Sequence, residues 1–318
     1  MTLLSSLQRI TGMKRKGKSV RPVARGKRAV RRMVWSAASS VAMGGLCKSF
    51  AEDCLYVNAL DMPLKHLGKE LEGLRLVHIS DLHSSPLVSQ RYLRHCVERV
   101  NDLRPDVVIL TGDFISGLQH YARKVGDVLS ALQPNITSLA VLGNHDYGRW
   151  HPGSGGSPTL ADYTVGQLED AGIRVLRNEV WQLKRSQSKV QFLGLEDLWS
   201  GRFDPARTFA SAHADVPSVA LCHNPMAAAE LTARGAQWVL AGHTHGYGGL
   251  GTSMHEIMRP PADGHLLAGL YKLDGGFVYV NRGLGHGRRR HLSRRPEITL
   301  FTLKKSPLVQ RVAHARGK

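Results

Sequence analysis

Cysteine is scarce in this chain: Cys47, Cys54, Cys96 and Cys222 are the four in 318 residues. They form neither a CxxC pair nor a regular spacing, which argues against a disulfide framework and a thiolate zinc site. Cys96 falls on the apolar face of an expected helix and Cys222 closes an apolar strand, so both read as small core residues. Acidic residues are missing from positions 1–50, where twelve Lys or Arg stand, and Glu297 is the one acid among eleven bases in residues 282–318. The net charge of +18 is therefore carried by the two ends, and residues 51–281 sum to −4. That segregation disfavours a nucleic-acid enzyme or binder, which would carry its basic charge on the folded body. It suits basic arms facing anionic lipid or plain solvent. Internal repeats are also lacking.

The N-terminal fifty residues leave two readings open. Arg31-Arg32 precedes the weakly apolar run Met33–Cys47, and Ser49-Phe50-Ala51 offers small residues where a signal peptidase would cut. This is the layout of an exported or membrane-associated bacterial protein, with a twin-arginine flavour. The run is short of the roughly 20 residues that cross a bilayer, and three serines dilute it, so an uncleaved basic extension of a cytoplasmic protein is the alternative. Residues 1–51 are expected as this extension, residues 52–305 as one globular domain and residues 306–318 as a basic tail.

Within the body, Leu74–Ile79, Asp106–Leu110 and Leu139–Leu142 read as buried strands, separated by helices starting after Ser89 and around Tyr121. Gly148 to Thr164 is expected to be a substrate-facing loop. Further strands are expected near 173–176, 180–183, 190–195, 218–221, 238–240, 277–280 and 298–303, with helices near 204–212 and 226–233. The alternation predicts α/β units with parallel pairing. Five strand ends then deliver polar side chains: Asp81 and His83; Asp113; Asn144, His145 and Asp146; His223; His243 and His245. Open α/β sheets place their sites at such ends. The donors are carboxylate, imidazole and amide oxygen without thiolate, a set suited to Mn, Fe or Zn and numerous enough for two divalent metal ions.

The blocks Asp81-x-His83, Gly112-Asp113, Gly143-Asn144-His145-Asp146, His223 and Gly242-His243-x-His245 resemble, in order and spacing, the calcineurin-like metallophosphoesterases over roughly residues 55–305. The resemblance implies a four-layer α/β/β/α sandwich with two mixed sheets. It also implies one cation on Asp81, His83 and His245, a second on Asn144, His223 and His243, and Asp113 bridging them. His145 would serve the leaving group, oriented by Asp146, while a two-metal-activated hydroxide attacks phosphorus. Phe114-Ile115-Ser116 departs from the family pattern, which often has an acid a few positions after Gly112-Asp113.

Val77 to His83, Gly194-Leu195-Glu196-Asp197 and Tyr279 to Gly285 are similar to a bacterial branch holding exported phosphoesterases and UDP-2,3-diacylglucosamine pyrophosphatase. Tyr247-Gly248-Gly249 departs from that branch at the rim where selectivity would sit. The expected substrate is a phosphodiester or pyrophosphate, lipid-linked at a membrane surface, with Arg282 and Arg288 pairing with its phosphates. A broad-specificity phosphodiesterase and a nuclease are the alternatives.

Overall fold

Val107–Thr111 is apolar or β-branched at every position and buried throughout, the pattern of a strand covered on both faces. In the computed structural model, which describes residues 55–246, 266–285 and 295–306, this strand lies inside the first of two six-stranded sheets. That sheet sets side by side β1 (Tyr56–Leu64), β12 (Glu297–Lys305), β2 (Arg75–Ile79), β3 (Val107–Thr111), β4 (Thr137–Val141) and β5 (Ile173–Val175). Strands β2 to β5 are parallel, and β12 returns antiparallel against β2. The second sheet is ordered β10 (Gly269–Leu273), β11 (Gly276–Val280), β9 (Trp238–Ala241), β8 (Ser218–Leu221), β7 (Ser188–Gly194) and β6 (Glu179–Arg185). Its inner four strands are parallel and both edges antiparallel.

The period of two along each strand sorts the core into layers. Leu76, Val107, Ile109, Leu139 and Val141 point from the first sheet toward Phe192, Val219, Leu221, Trp238 and Leu240 of the second. Phe301 fills this interior with its ring 5.2 Å from Tyr279 and 5.8 Å from Trp238. The alternate residues Val77, Ile79, Val108, Leu110 and Ala140 face α1 (Gln90–Asp102), α2 (His120–Leu129) and α3 (Pro158–Asp170). On the other side Ala220, Val239, Ala241, Val278 and Val280 meet α5 (Ala228–Ala233), with α4 (Pro205–Ala210) preceding β8. Each fully buried Leu, Ile, Val or Phe here contributes about 1.5–3 kcal/mol, so the layers hold together by area. The result is the expected α/β/β/α sandwich.

Two local expectations change. The stretch Gly148–Thr164 is not all loop, because α3 starts at Pro158 under a Ser157 cap whose hydroxyl accepts from Leu160 N. Proline fixes φ at a helical value and lacks the amide that a first turn leaves unused, so Ser-Pro opened a helix where the glycines suggested a loop. Strand β10, an edge partner of β11, was not foreseen. The Met33–Cys47 run and Arg288 lie outside the described residues. Among the described residues, no helix is long and apolar enough to cross a membrane.

Candidate metal centre

Three of the parallel strands that end at the seam between the sheets, β2, β3 and β9, run into polar residues held in an unusual backbone conformation. Asp81, His83, Asp113, His243 and His245 all have φ between 46° and 74°. For residues with a Cβ this left-handed region costs about 1–2 kcal/mol each, and such strain collects at functional sites. It turns each side chain back over the strand end instead of letting the chain run on. Gly112, with φ 80°, allows a close approach: a Cβ there would stand 2.7 Å from His223 Nδ1 and 2.5 Å from Gly143 N. At Gly242 a Cβ would fall on the Ser80 hydroxyl and the Asp81 carboxylate.

The donors brought together this way form interlocking groups. Asp81, His83 and His245 make one; Asp113, His223 and His243 make another; His83, Asp113 and His145 join them. His83 Nε2 and His245 Nε2 are 3.1 Å apart, and His245 Nε2 is 3.5 Å from Asp81 Oδ1. His223 Nε2 lies 3.2 Å from Asp113 Oδ2 and 3.3 Å from His243 Nδ1. Asp113 Oδ2 is also 3.5 Å from His83 Nε2, so this one carboxylate reaches both sides. Nitrogen lone pairs at such distances repel unless something electropositive lies between them.

Asn144 stands at the end of β4: its Nδ2 donates to Arg149 O at 2.6 Å, while its buried Oδ1 has no hydrogen-bond partner. An orphaned buried amide oxygen costs about 1–3 kcal/mol unless a cation or donor takes it. The donor chemistry and this vacant acceptor fit divalent cations.

Electrostatics agree with that fit. Burial lowers His83 to about 3 and His243 to about 4, so both rings stay neutral, the form in which imidazole ligates a metal. His223 goes the other way: burial opposes its proton, but Asp113 first and then Asp81 and Asp197 hold it well above the ordinary histidine value. The same pairing keeps Asp113 ionised against its burial. Buried carboxylates here demand positive charge. His223 is aimed by a 2.7 Å contact from Nδ1 to the Thr111 carbonyl, which points Nε2 into the site. Ser116, standing where the family pattern often has an acid, places its hydroxyl 3.3 Å from His83 Nδ1 and so contacts the ring itself.

Several expected roles land differently. Asp146 was expected to orient His145, yet its carboxylate accepts from the amides of Asp113, Phe114, Ile115 and Gly143, and His145 Nδ1 has no hydrogen-bond partner. The Asn144–Tyr147 turn is helical, and a carboxylate two residues into it faces the strand-end amides beneath rather than the ring. Arg282 is not an exposed phosphate fork: it is 7% exposed and its Nη1 is bound to buried Glu297 at 3.0 Å. A buried carboxylate needs that cation, and in the sequence Glu297 stands out only as the one acid among the bases of residues 282–318. His145 keeps partial exposure, with Nε2 3.9 Å from Asp113 Oδ2 and its amide donating to Asp113 Oδ1 at 2.9 Å.

Trp150 and Trp199 escaped the sequence reading. Their rings stand edge-on to His145, at 4.5 Å, and to His243, at 4.7 Å. Each lies a few residues after a polar strand-end block, which was the available signal. Tyr147 braces the turn by donating to Glu196 Oε2 at 2.5 Å, and Arg177 Nη2 donates to the Tyr147 hydroxyl at 3.2 Å.

A double-sheet sandwich whose strand ends converge two sets of N and O donors on a shared carboxylate defines a metal-dependent phosphoester hydrolase. The sequence profile of the family described as calcineurin-like phosphoesterase matches residues 74–247, and the chain belongs to that family. It is 33% identical over 240 residues to the uncharacterized metallophosphoesterase YkuE of Bacillus subtilis, covering 73% of this chain and 80% of that protein. It is 26% identical over 291 residues to the UDP-2,3-diacylglucosamine pyrophosphatase LpxG of Chlamydia muridarum, covering 78% and 88%. With the phosphodiesterase YaeI of Escherichia coli the identity is 28% over 231 residues, covering 72% and 82%. The family is binuclear and acts on phosphate esters, and the clustered donors of this chain are its candidate metal-binding residues.

Proposed function

We propose that the chain hydrolyses a phosphodiester or pyrophosphate bond with two divalent cations, of which Mn, Fe or Zn suit the donors. Asp81, His83 and His245 would hold one, Asn144, His223 and His243 the other, and Asp113 both. The observation that carries this is the reach of Asp113 Oδ2 to His83 at 3.5 Å and to His223 at 3.2 Å, linking two donor groups through one carboxylate. When bound, the cations supply the Lewis acidity that yields a hydroxide nucleophile at neutral pH and offsets phosphoryl charge. The chain's own groups do the rest. His145, partly open to solvent, carries the proton for the departing oxygen at Nε2. Its backbone is tied to Asp113, so acid and bridging carboxylate keep a fixed separation. Trp150 and Trp199 pack edge-on against His145 and His243 and so steady the two rings.

For the substrate we infer a nucleotide-linked lipid such as UDP-2,3-diacylglucosamine, met at a bacterial membrane surface. The chlamydial relative supports the headgroup, and the basic ends support an anionic surface. The test is mass spectrometry of products after incubating the Mn-loaded full chain with bis(p-nitrophenyl) phosphate, a phosphomonoester and UDP-2,3-diacylglucosamine in micelles. Release of UMP from the lipid is expected. Turnover of the soluble diester without UMP would replace the lipid reading by a general phosphodiesterase, and no metal-dependent turnover of any of them would end both.

A further inference from the structure

Among the described residues four large hydrophobic side chains are exposed: Leu87, Leu118, Trp150 and Met226, at 79%, 54%, 63% and 75%. Singly, exposed hydrophobics need no explanation. Their distribution does. Leu87 follows His83, Leu118 follows Asp113, Trp150 follows His145 and Met226 follows His223, each within five residues of a strand-end donor. The loops carrying the first three are neighbours. Ser84 bridges Ile115, and a Cβ on Gly117 would lie 3.7 Å from the Trp150 ring. Met226 stands on the second sheet's side of the seam, at the head of a short helical turn that Asn224 caps. The apolar exposure is therefore confined to the end of the sandwich where the donors open.

Charge on two of the helices at the same end, α1 and α2, is arranged one way. Helices α1, α2 and α3 start there, because each follows a strand that ends at the donors, and none has an acid in its first turn. Helix dipoles ordinarily favour acids at that position. Instead α1 places Arg91 and Arg94 before Glu98 and Asp102, and α2 places Arg123 and Lys124 before Asp127. The bases sit toward the site and the acids toward the far end, where Asp102 is further neutralised by Arg99 at 2.8 Å. An apolar rim inside a basic collar matches the boundary of an anionic bilayer, where apolar side chains enter and cations meet headgroups.

We propose that this rim docks on an anionic lipid bilayer, so that Leu87, Leu118, Trp150 and Met226 enter the headgroup–acyl boundary and the metal centre opens directly onto the lipid headgroups. The proposal rests on the lipid-linked reading of the substrate and gives that reading an orientation: the substrate's acyl chains stay in the bilayer while its phosphates reach the donors. The experiment is co-sedimentation of the full chain with phosphatidylcholine vesicles, with and without phosphatidylglycerol, at low and high salt. The vesicles contain no substrate, so binding is read apart from chemistry. The Leu87→Gln, Leu118→Gln, Met226→Gln triple variant should bind the anionic vesicles at least about tenfold more weakly at high salt, where the basic arms are screened. It should still turn over bis(p-nitrophenyl) phosphate in solution. A second variant, with Trp at the same three positions, should bind more tightly, since Trp favours that boundary. Its added emission should be quenched by brominated lipid. Unchanged binding in both variants, or Trp emission untouched by brominated lipid, overturns the docking face. Loss of diester turnover in the wild-type chain would instead strike the catalytic reading.

Discussion

Asp146 Oδ2 accepts the backbone N–H of Asp113 at 2.9 Å, so one strand-end block holds the backbone of another. The same oxygen accepts from Gly143 N at 2.8 Å, and Oδ1 accepts from Phe114 at 2.9 Å and Ile115 at 3.2 Å. Burial, and next the charge of Asp113, raise this carboxyl, while the amide of Gly143 and then that of Ile115 pull it back. Four donors to one buried carboxylate make it a staple of the β3 and β4 ends.

Asp146→Asn should therefore damage the architecture more than the acid chemistry. An Asn amide group would turn two donors toward backbone N–H groups, leaving buried groups unsatisfied at roughly 1–3 kcal/mol apiece. The expected outcome is a lowered thermal midpoint and weaker metal retention, with the pH position of the acid limb in kcat/KM unchanged. A shift of that limb with stability intact would restore Asp146 to the role of orienting His145.

His145→Asn is expected to lower turnover by about 10²–10⁴-fold, the usual weight of a general acid. His145 shares a donor group with His83 and Asp113 but is not among the residues proposed to hold either cation, so the bound metal measured by elemental analysis should stay at the wild-type level. The loss should shrink for p-nitrophenyl esters, whose leaving group departs without a proton. Equal losses for p-nitrophenyl and alkyl leaving groups would argue that His145 acts elsewhere.

Much of this was legible in the chain because the signals were local. Continuous β-branched runs announced β3, the Ser89 cap announced α1, and polar blocks after apolar strands announced the donors. What was hidden depended on partners distant in sequence. Arg282 turns inward because Glu297 lies buried beside it, and a basic tail in one dimension says nothing of that. Asp146 serves amides 31–33 residues earlier, a relation that spacing from His145 cannot reveal. Helix α3 was obscured because glycine-rich composition outweighed a two-residue Ser-Pro start.

Asp113→Asn tests the link between the two donor groups. It keeps the shape and removes the charge that faces His83 and His223. His223 loses the foremost influence raising its proton affinity, and neither triad keeps its shared anion. Metal content should fall to one ion or none, and diester turnover by at least about 10³-fold. Wild-type turnover after stripping and restoring the metal would refute the shared-carboxylate assignment.

His78 supplies a pH test away from the donors' open face. Its ring is fully buried between the sheets, stacked 6.5 Å from Phe301, with Nε2 2.8 Å from the Thr111 hydroxyl. Burial lowers it from 6.5 to about 3, so the folded chain keeps it neutral where the unfolded chain takes a proton. Between those values the unfolded state binds more protons, and stability must fall as pH drops through that window. Above about 6.5 this group contributes no pH dependence, and below about 3 its loss is complete. Chelated wild-type protein should lose stability in urea across that range. His78→Gln, less stable at neutral pH, should lose less, so the gap between the two narrows as the medium becomes acid. Parallel stability curves from neutral pH to pH 3 would show that His78 carries no such penalty.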